Sequence, residues 1–541
     1  MPSSRTQDHI ARLDQTFHDE ISKSLAQALK DNPNLTPQEA LLSIQRNMLA
    51  HNPYTPPKDG SCPINKLPSK LLAYIFSQGT DMQQEEWEEM FEELGSDEGG
   101  WEDVDDEEEE EEAEAEEADT DEDGSAADES SESTSSAIDD DRDMFPLQIL
   151  VSHVCRRWRS LVLHTPELWT TFTFRKQLRL DKTKAYISRS GNSPLRVSVD
   201  CQSPYQDQSQ EGDDEERDEC GIKQSWLSLE DLSQILDLLD PEIFRLQEFS
   251  FRASTHNYVY LLLARLQKMP AAQRLESFHI YLNRDQNDHA TSPSDGSLSY
   301  LPFQGQVPNL KQVTLSGVHI DWDRATSNFL RDLRRLDLAN LPTDIRPSYA
   351  TFAQILKASP ELDSLSLSRA GPSWPDGVAL DSEKICTPEL IIPSLKELAL
   401  KCHDPSYASA LIRRVHLPNL KKLSLYLNDG TDCSEFVRVL AKPVEGSKQS
   451  VLQRISQLTI LGLSCDVASM EVFLSQLITL KSLGIPAFVE EDEMILKKII
   501  EPASLRCTGV FCPQLEEVII GGCDGGRLKR FITSRRDAGV R

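Results

Sequence analysis

Leu310-Lys311-Gln312-Val313-Thr314-Leu315, Leu333-Arg334-Arg335-Leu336-Asp337-Leu338 and Leu362-Asp363-Ser364-Leu365-Ser366-Leu367 are copies of one pattern, Leu-x-x-apolar-x-apolar. The spacing decides the fold. Alternate side chains of a strand point the same way, so the second and third apolar positions of each copy face one core. The leading Leu turns in from the preceding bend. Outward from these three, the pattern recurs at Leu246/Phe249/Phe251, Leu275/Phe278/Ile280, Leu395/Leu398/Leu400 and Leu420/Leu423/Leu425. It continues at Leu458/Leu461/Leu463, Leu480/Leu483/Ile485 and Leu515/Val518/Ile520, which makes ten copies at intervals of 22 to 38 residues.

Helix-compatible stretches lie between the copies: Tyr349–Ala358, Tyr407–Val415, Ser434–Leu440, Ala468–Leu477 and Glu491–Ile500. A strand and a helix that cannot bury their own apolar sides must stack on the next pair, and self-similarity at this period is the mark of a repeat array. The pattern resembles the leucine-rich-repeat solenoid, and the predicted repeats span 241–526. The Asn ladder of that family survives at Asn283 and Asn428, with Cys523 as a substitute. Uneven spacing predicts an irregular arc with long convex loops over 284–307 and 370–392. The polar positions inside the strands predict a concave substrate face: Gln312, Thr314, Arg335, Asp337, Ser366, Glu397, Lys422, Ser424 and Tyr426. Their mixed charge points to a protein ligand and supplies no basic stripe for nucleic acid. The tail 527–541, with Arg527, Lys529, Arg530, Arg535 and Arg536, reads as a polar cap or a nuclear-localisation-like patch.

Upstream, Ile64-Asn65-Lys66-Leu67-Pro68-Ser69-Lys70-Leu71-Leu72-Ala73-Tyr74-Ile75-Phe76 reads as a helix. Pro68 suits its first turn, and Leu71, Leu72, Ile75 and Phe76 form an apolar stripe. A second piece, Phe145–Phe174, holds Val154-Cys155-Arg156-Arg157-Trp158 and Thr165-Pro166-Glu167-Leu168-Trp169. Ile149, Leu150, Val154, Trp158, Leu161 and Val162 recur at helical spacing there, and Pro166 ends the helix. These ordered motifs resemble the F-box: Leu-Pro, an Ile-Phe pair, Val-Cys-x-x-Trp and Pro-x-Leu-Trp. The segment Tyr186–Val199 is similar to the one that follows the F-box in fungal proteins of this type.

The resemblance implies a small helical F-box over 64–174 that docks on the Skp linker protein and, through it, a cullin–RING ubiquitin ligase scaffold, while the repeats hold a protein substrate. Carried over position by position, the linker surface comprises Leu67, Pro68, Leu71, Ile75, Phe76, Val151, Val154, Cys155 and Trp158. Trp169 is expected to brace the F-box against the first repeat. Catalysis would lie elsewhere in such a complex, and no cofactor is implied.

The F-box is interrupted by an insert, 79–143, where the family has a short loop. The whole chain carries 56 Lys plus Arg against 89 Asp plus Glu, a net of −33. Residues 81–143 hold 33 acidic residues and one basic one, Arg142, so the rest of the chain is near −1, from −33 minus −32. Such a run repels itself and cannot bury a core, so disorder is expected over most of it. Within it Trp87, Met90, Phe91 and Leu94 share one helical face across Glu85–Glu93, read as an acidic docking helix or a solvated spacer. A smaller acidic loop, 202–224, lies in the transition segment 175–240, after a strand Leu195–Asp200. Residues 1–50 read as two helices for self-association or for packing on the F-box, and 51–63 as a proline-rich linker.

The eleven cysteines are dispersed without a C-x-x-C pair, which fits reduced thiols. No apolar run approaches the length of a bilayer span, so the expected location is cytoplasmic or nuclear. H-E-x-x-H, Walker, G-x-S-x-G and G-x-G-x-x-G motifs are absent. Gly521-Gly522-Cys523-Asp524-Gly525-Gly526 lacks the Lys-Ser/Thr of a phosphate loop and reads as a turn. The expectation is a non-catalytic adaptor. The competing expectation is a scaffold or histone-chaperone-like protein that engages a basic partner through the acidic tract.

Overall fold

The computed structural model describes residues 63–95, 146–175, 178–202, 226–283, 300–374, 390–427, 430–443, 449–486 and 511–521, with isolated residues elsewhere. The expectations for residues 1–50, the loop 202–224, the helix at 491–500, Asn428, Cys523 and most of the basic tail lie outside the described residues. The chain forms two compact units, Met1–Gln78 and Gly79–Arg541.

In the first unit a short 3-10 turn, Pro63–Lys66, leads into helix α1 (Ser69–Gly95). Pro68 stands just before it and its carbonyl accepts from the N–H groups of Leu71 and Leu72. Proline tolerates this place because the first helical turn has no N–H partner to lose. The helix runs on to Gly95, so 79–95 is helical and the expected disorder does not begin at 79. The helix inferred at Glu85–Glu93 is the last third of α1.

The second unit is α/β. Its further helices are α2 (Leu147–Ser152), α3 (Arg156–Leu163), α4 (Leu180–Ser190), α5 (Leu229–Leu239), α6 (His256–Leu266) and α7 (Trp322–Asn328). There follow α8 (Tyr349–Lys357), α9 (Pro405–Arg414), α10 (Ser434–Ala441) and α11 (Val467–Gln476). The strands are β1 (Thr171–Phe174), β2 (Leu195–Cys201), β3 (Leu246–Ala253), β4 (Ser277–Leu282), β5 (Gln312–Ser316), β6 (Arg335–Ala339) and β7 (Ser364–Ser368). After them come β8 (Leu390–Ile391), β9 (Glu397–Lys401), β10 (Val415–His416), β11 (Lys422–Tyr426), β12 (Gln457–Leu461), β13 (Ser482–Ile485) and β14 (Glu517–Ile520). Twelve of them form one sheet in strict chain order, β1 to β7, then β9, β11, β12, β13 and β14, and every pair is parallel. β8 and β10 make a separate small pair. A long parallel sheet whose strands follow the chain, with helices between them, is compatible with a solenoid-like repeat.

The repeat pattern explains the register. Phe249, Phe278, Val313, Leu336, Leu365, Leu398, Leu423, Leu458 and Leu483 are paired from strand to strand along one row, and all are buried. Fully burying each such side chain contributes roughly 1.5–3 kcal/mol. Phe278 also meets Phe303 and Phe329 edge-on, at 6.1 and 5.6 Å. The predicted helices at 349–358, 407–415, 434–440 and 468–477 match α8 to α11 within two residues at either end.

Two corrections follow from the pairing. The eighth copy is Ile455/Leu458/Ile460, three residues earlier than Leu458/Leu461/Leu463. Both readings satisfy the pattern in sequence. The pairing Leu423↔Leu458 and Leu425↔Ile460 sets Leu461 beside Tyr426 on the opposite face. A glycine accounts for the choice. The residue after several strands has positive φ: Gly317 (67°), Asn340 (49°), Arg369 (46°), Cys402 (53°) and Gly462 (68°). Only the earlier register lets Gly462 take that left-handed place, where a side chain is costly.

The second correction concerns where the sheet starts. Two strands, β1 and β2, precede the predicted boundary at 241, with Phe172↔Val197 and Val197↔Phe249 continuing the buried row. Trp169, three residues before Phe172, stands where the other copies have their leading Leu and is buried.

Candidate functional site

The residues that the F-box resemblance assigns to a linker surface fall in both units. In the first unit, helical geometry sorts four neighbours onto two faces. Leu72 and Phe76, four apart, are buried, whereas Leu71 and Ile75, also four apart, are 51 % and 46 % exposed. Tyr74 is exposed at 62 % beside them. Pro68 is exposed and Leu67 half-buried. Phe76, at 4 %, is therefore a core residue and is removed from the candidate surface. Tyr74 joins it, a residue the motif does not mark.

In the second unit the single helix expected over the second piece is two, α2 and α3, broken at His153–Cys155. Cys155 is extended (φ −157°, ψ 166°), and its sulfur accepts from the Trp158 N–H at 3.4 Å, capping α3. The break turns Val154 outward, 60 % exposed, with Leu150 exposed near it. Val151 points the other way and is buried at 7 %, so it too belongs to the core. Trp158 is half-buried. Trp169 donates its indole N–H to the Val162 carbonyl of α3 at 2.9 Å. It also meets Tyr186 edge-on at 4.9 Å and carries the Arg189 guanidinium 4.5 Å over its ring. It ties α3 to α4 just ahead of β1.

The alternate positions of the sheet carry the other candidate residues, and the register groups them in rows. Gln312, Arg335, Ser364, Glu397 and Lys422 are successive partners in one row. His279, Thr314, Asp337, Ser366, Ala399 and Ser424 form the next. Tyr426 lies in a third, beside Lys401, whose ammonium sits 5.0 Å over its ring. All nine expected residues thus share one face. Most are half-exposed, but Thr314 is buried.

The polar centre of this face is desolvated. His279 Nδ1 and Thr314 Oγ1 are 2.9 Å apart. Burial, then the Arg335 and Arg252 charges, pull the His279 pKa down to about 4. Burial pushes Asp337 up from the ordinary carboxylate range, opposed by a hydrogen bond from Ser366 and by Lys401 and Arg335. His279, Arg252 and Lys401 escaped the sequence reading, although each occupies an alternate position of a strand it had placed or bounded. No group of three or more His, Cys, Asp or Glu able to hold a metal ion forms among the described residues. No described helix is long and apolar enough to cross a membrane.

No protein-family model matches the chain, and no curated protein matches it either.

Proposed function

We propose that the chain is the substrate-recognition adaptor of an SCF-type cullin–RING ubiquitin ligase: an F-box binds the Skp linker, and leucine-rich repeats bind a protein substrate. The observation that carries the reading is the exposed pair Leu71 and Ile75, in a Leu-Pro-led helix whose Leu72 and Phe76 are already buried. A pair of exposed apolar anchors, each worth roughly 1.5–3 kcal/mol when covered, is what a partner groove requires. Val154 and Leu150, exposed on α2 and the turn after it, add apolar surface of the same kind. The repeat sheet supplies the second half of the proposal, a polar, mixed-charge face suited to a protein ligand and lacking any catalytic constellation in its sequence.

The test is co-purification with the Skp linker. A stoichiometric complex with wild type, lost with Leu67→Ala and Pro68→Ala together while the sheet unit keeps its melting temperature, is the expected result. Absence of a wild-type complex overturns the proposal and shifts attention to basic partners of the acidic tract.

A further inference from the structure

The residues that open the strands form a ridge beside the polar sheet face. The Arg334 N–H donates to the Lys311 carbonyl at 2.8 Å, that of Asp363 to Arg334 at 2.9 Å, that of Lys396 to Asp363 at 2.9 Å and that of Lys421 to Lys396 at 2.8 Å. Ser456, Lys481 and Glu516 continue the same chain of bonds. Successive members therefore stand one strand apart, about 4.8 Å. The row next to the ridge holds Arg335, Ser364, Glu397, Lys422 and Gln457 from β6 to β12.

Both ends of the ridge are paired. Arg334 meets Glu361 at 3.4 Å and Lys481 meets Glu516 at 2.9 Å, while the Lys311 ammonium donates to the Asp332 carbonyl at 3.1 Å. The middle is not. The side chains of Lys396, Lys421 and Lys422 make no hydrogen bond or ion pair among the described residues. Lys396 and Lys421, both exposed, are direct neighbours across β9 and β11, where like charges oppose each other. Outside the Arg334–Glu361 pair, the two rows from β6 to β12 carry Arg335, Lys396, Lys421 and Lys422 against Asp363 and Glu397, two positive charges in excess. Further along the face Asp337 and Lys401 offset each other.

We propose that this lysine-rich stretch, Lys396, Lys421 and Lys422 with Arg335 at its flank, docks a short segment rich in Asp and Glu on a partner protein. The proposal rests on the reading of the polar face as the substrate side and names the class of substrate. Carboxylates supply the charge that the middle of the ridge lacks, and each pair formed at an exposed site adds a modest increment. The interleaved Asp363 and Glu397 repel a continuous polyanion such as nucleic acid, whereas a peptide can set neutral residues against them. Ammonium groups are point charges on flexible stems, so they take a carboxylate without the bidentate geometry a guanidinium imposes.

The experiment titrates the full chain into a fluorescent peptide of alternating Glu and Ser, read by anisotropy. The Gln–Ser peptide of the same length is the uncharged control. The expected result is saturable binding of the Glu peptide, weakened by added salt as exposed charges require, and at least about tenfold weaker binding of the Gln peptide. Lys396→Gln, Lys421→Gln and Lys422→Gln together should weaken the Glu peptide by a similar factor. Lys481→Gln, on the same ridge but already paired with Glu516, should stay within about twofold of wild type. Asp363→Asn with Glu397→Gln should tighten binding by at least about threefold, a gain that misfolding does not produce. The chain's own acidic tract is present in every titration, so the affinity read is what remains after its competition. Absence of saturable binding overturns the proposal. So does equal affinity for the two peptides, wild-type binding by the triple variant, or no gain in the Asp363 and Glu397 variant. Linker co-purification reads a different surface, so the two proposals fail separately.

Discussion

Gln83 Oε1 accepts a hydrogen bond of 2.8 Å from the backbone N–H of Leu147, across 64 residues of chain. The bond caps the first N–H of α2, whose preceding Pro146 offers no side-chain cap. It has company: a Cβ on Gly79 would lie 2.4 Å from Leu147 Cδ2, and Asp81 pairs with Arg196 of β2 at 2.9 Å. Gly79, Asp81 and Gln83 of α1 thus meet α2 and β2 close to where the described chain resumes at Pro146. Closing a long loop costs free energy that grows only with the logarithm of its length. Replacing residues 96–145 with about ten Gly/Ser residues should stabilise the unit by roughly 1–1.5 kcal/mol. A thermal melt reads this, and a lowered melting temperature would show that the tract itself holds the fold.

The left-handed row makes opposite predictions at two of its members. At Gly317 an added Cβ would meet Leu282 Cβ at 3.1 Å and the Leu282 carbonyl at 3.3 Å, on top of a φ of 67°. Gly317→Ala should cost about 1–3 kcal/mol. Arg369 holds φ 46° with a side chain, so Arg369→Gly should be neutral to stabilising by up to about 1 kcal/mol. The denaturant midpoint should fall for Gly317→Ala and hold or rise for Arg369→Gly.

Arg245 is the most deeply buried cation among the described residues. At 1 % exposure it donates to Glu242 at 2.6 Å, to Ser190 Oγ at 2.9 Å and to the Ser193 carbonyl at 3.0 Å. It thereby ties the end of α4 and its Gly191 turn to the start of β3. Arg245→Ala leaves Glu242 without its cation and takes a donor from Ser190 Oγ and from the Ser193 carbonyl, and should cost about 3–5 kcal/mol. Arg245→Lys should recover little, because one ammonium cannot reproduce the fork. Urea unfolding of both variants measures the difference.

The sheet was legible because its signal is periodic and strong: Leu336 and Leu338 can face only one way if Asp337 is to stay near water. The pattern failed where it was degenerate. Leu458-Thr459-Ile460-Leu461-Gly462-Leu463 fits two registers, and only the left-handed turn at Gly462 separates them. β1 escaped because Trp169, Phe172 and Phe174 present the same spacing with aromatic residues inside a stretch already assigned to helices. On the candidate surface, Phe76 and Ile75 are adjacent and equally apolar. Which one faces the core follows from what Leu72 packs on, and that is tertiary information. Arg245 left little local trace: Glu242 is one turn away, but Ser190 and Ser193 lie more than fifty residues back.

His279, half-buried, and His403, buried, bear on how the fold responds to acid. His279 and His403 both have their pKa drawn down to about 4, mainly by burial. Unfolded, each titrates near its ordinary value of 6.5. Between those values the unfolded chain binds protons that the native chain refuses, so stability is full above about pH 6.5 and falls as pH drops toward 4. Asp337, raised by burial, works in the opposite sense. Its contribution is fully present below its unfolded pKa and is lost as pH rises through the folded one. His403→Gln should flatten the melting-temperature profile between pH 6.5 and 4. An unchanged slope would assign the acid loss to other groups.

Leu71 and Phe76 should separate binding from folding. Phe76 is buried at 4 %, and its truncation empties a core site, so Phe76→Ala should cost about 3–5 kcal/mol in stability. Leu71 is 51 % exposed, so Leu71→Asp disturbs little that is packed and should change stability by less than about 0.5 kcal/mol. A partner groove that covers Leu71 would instead have to desolvate a carboxylate, which amounts to roughly 2–4 kcal/mol or a loss of 30-fold or more in affinity. Circular dichroism melts and linker pull-downs on the two variants give a crossed pattern if the exposed stripe is the docking surface. Loss of binding in Phe76→Ala alone, with Leu71→Asp binding as wild type, would place the linker contact on another face of the helix.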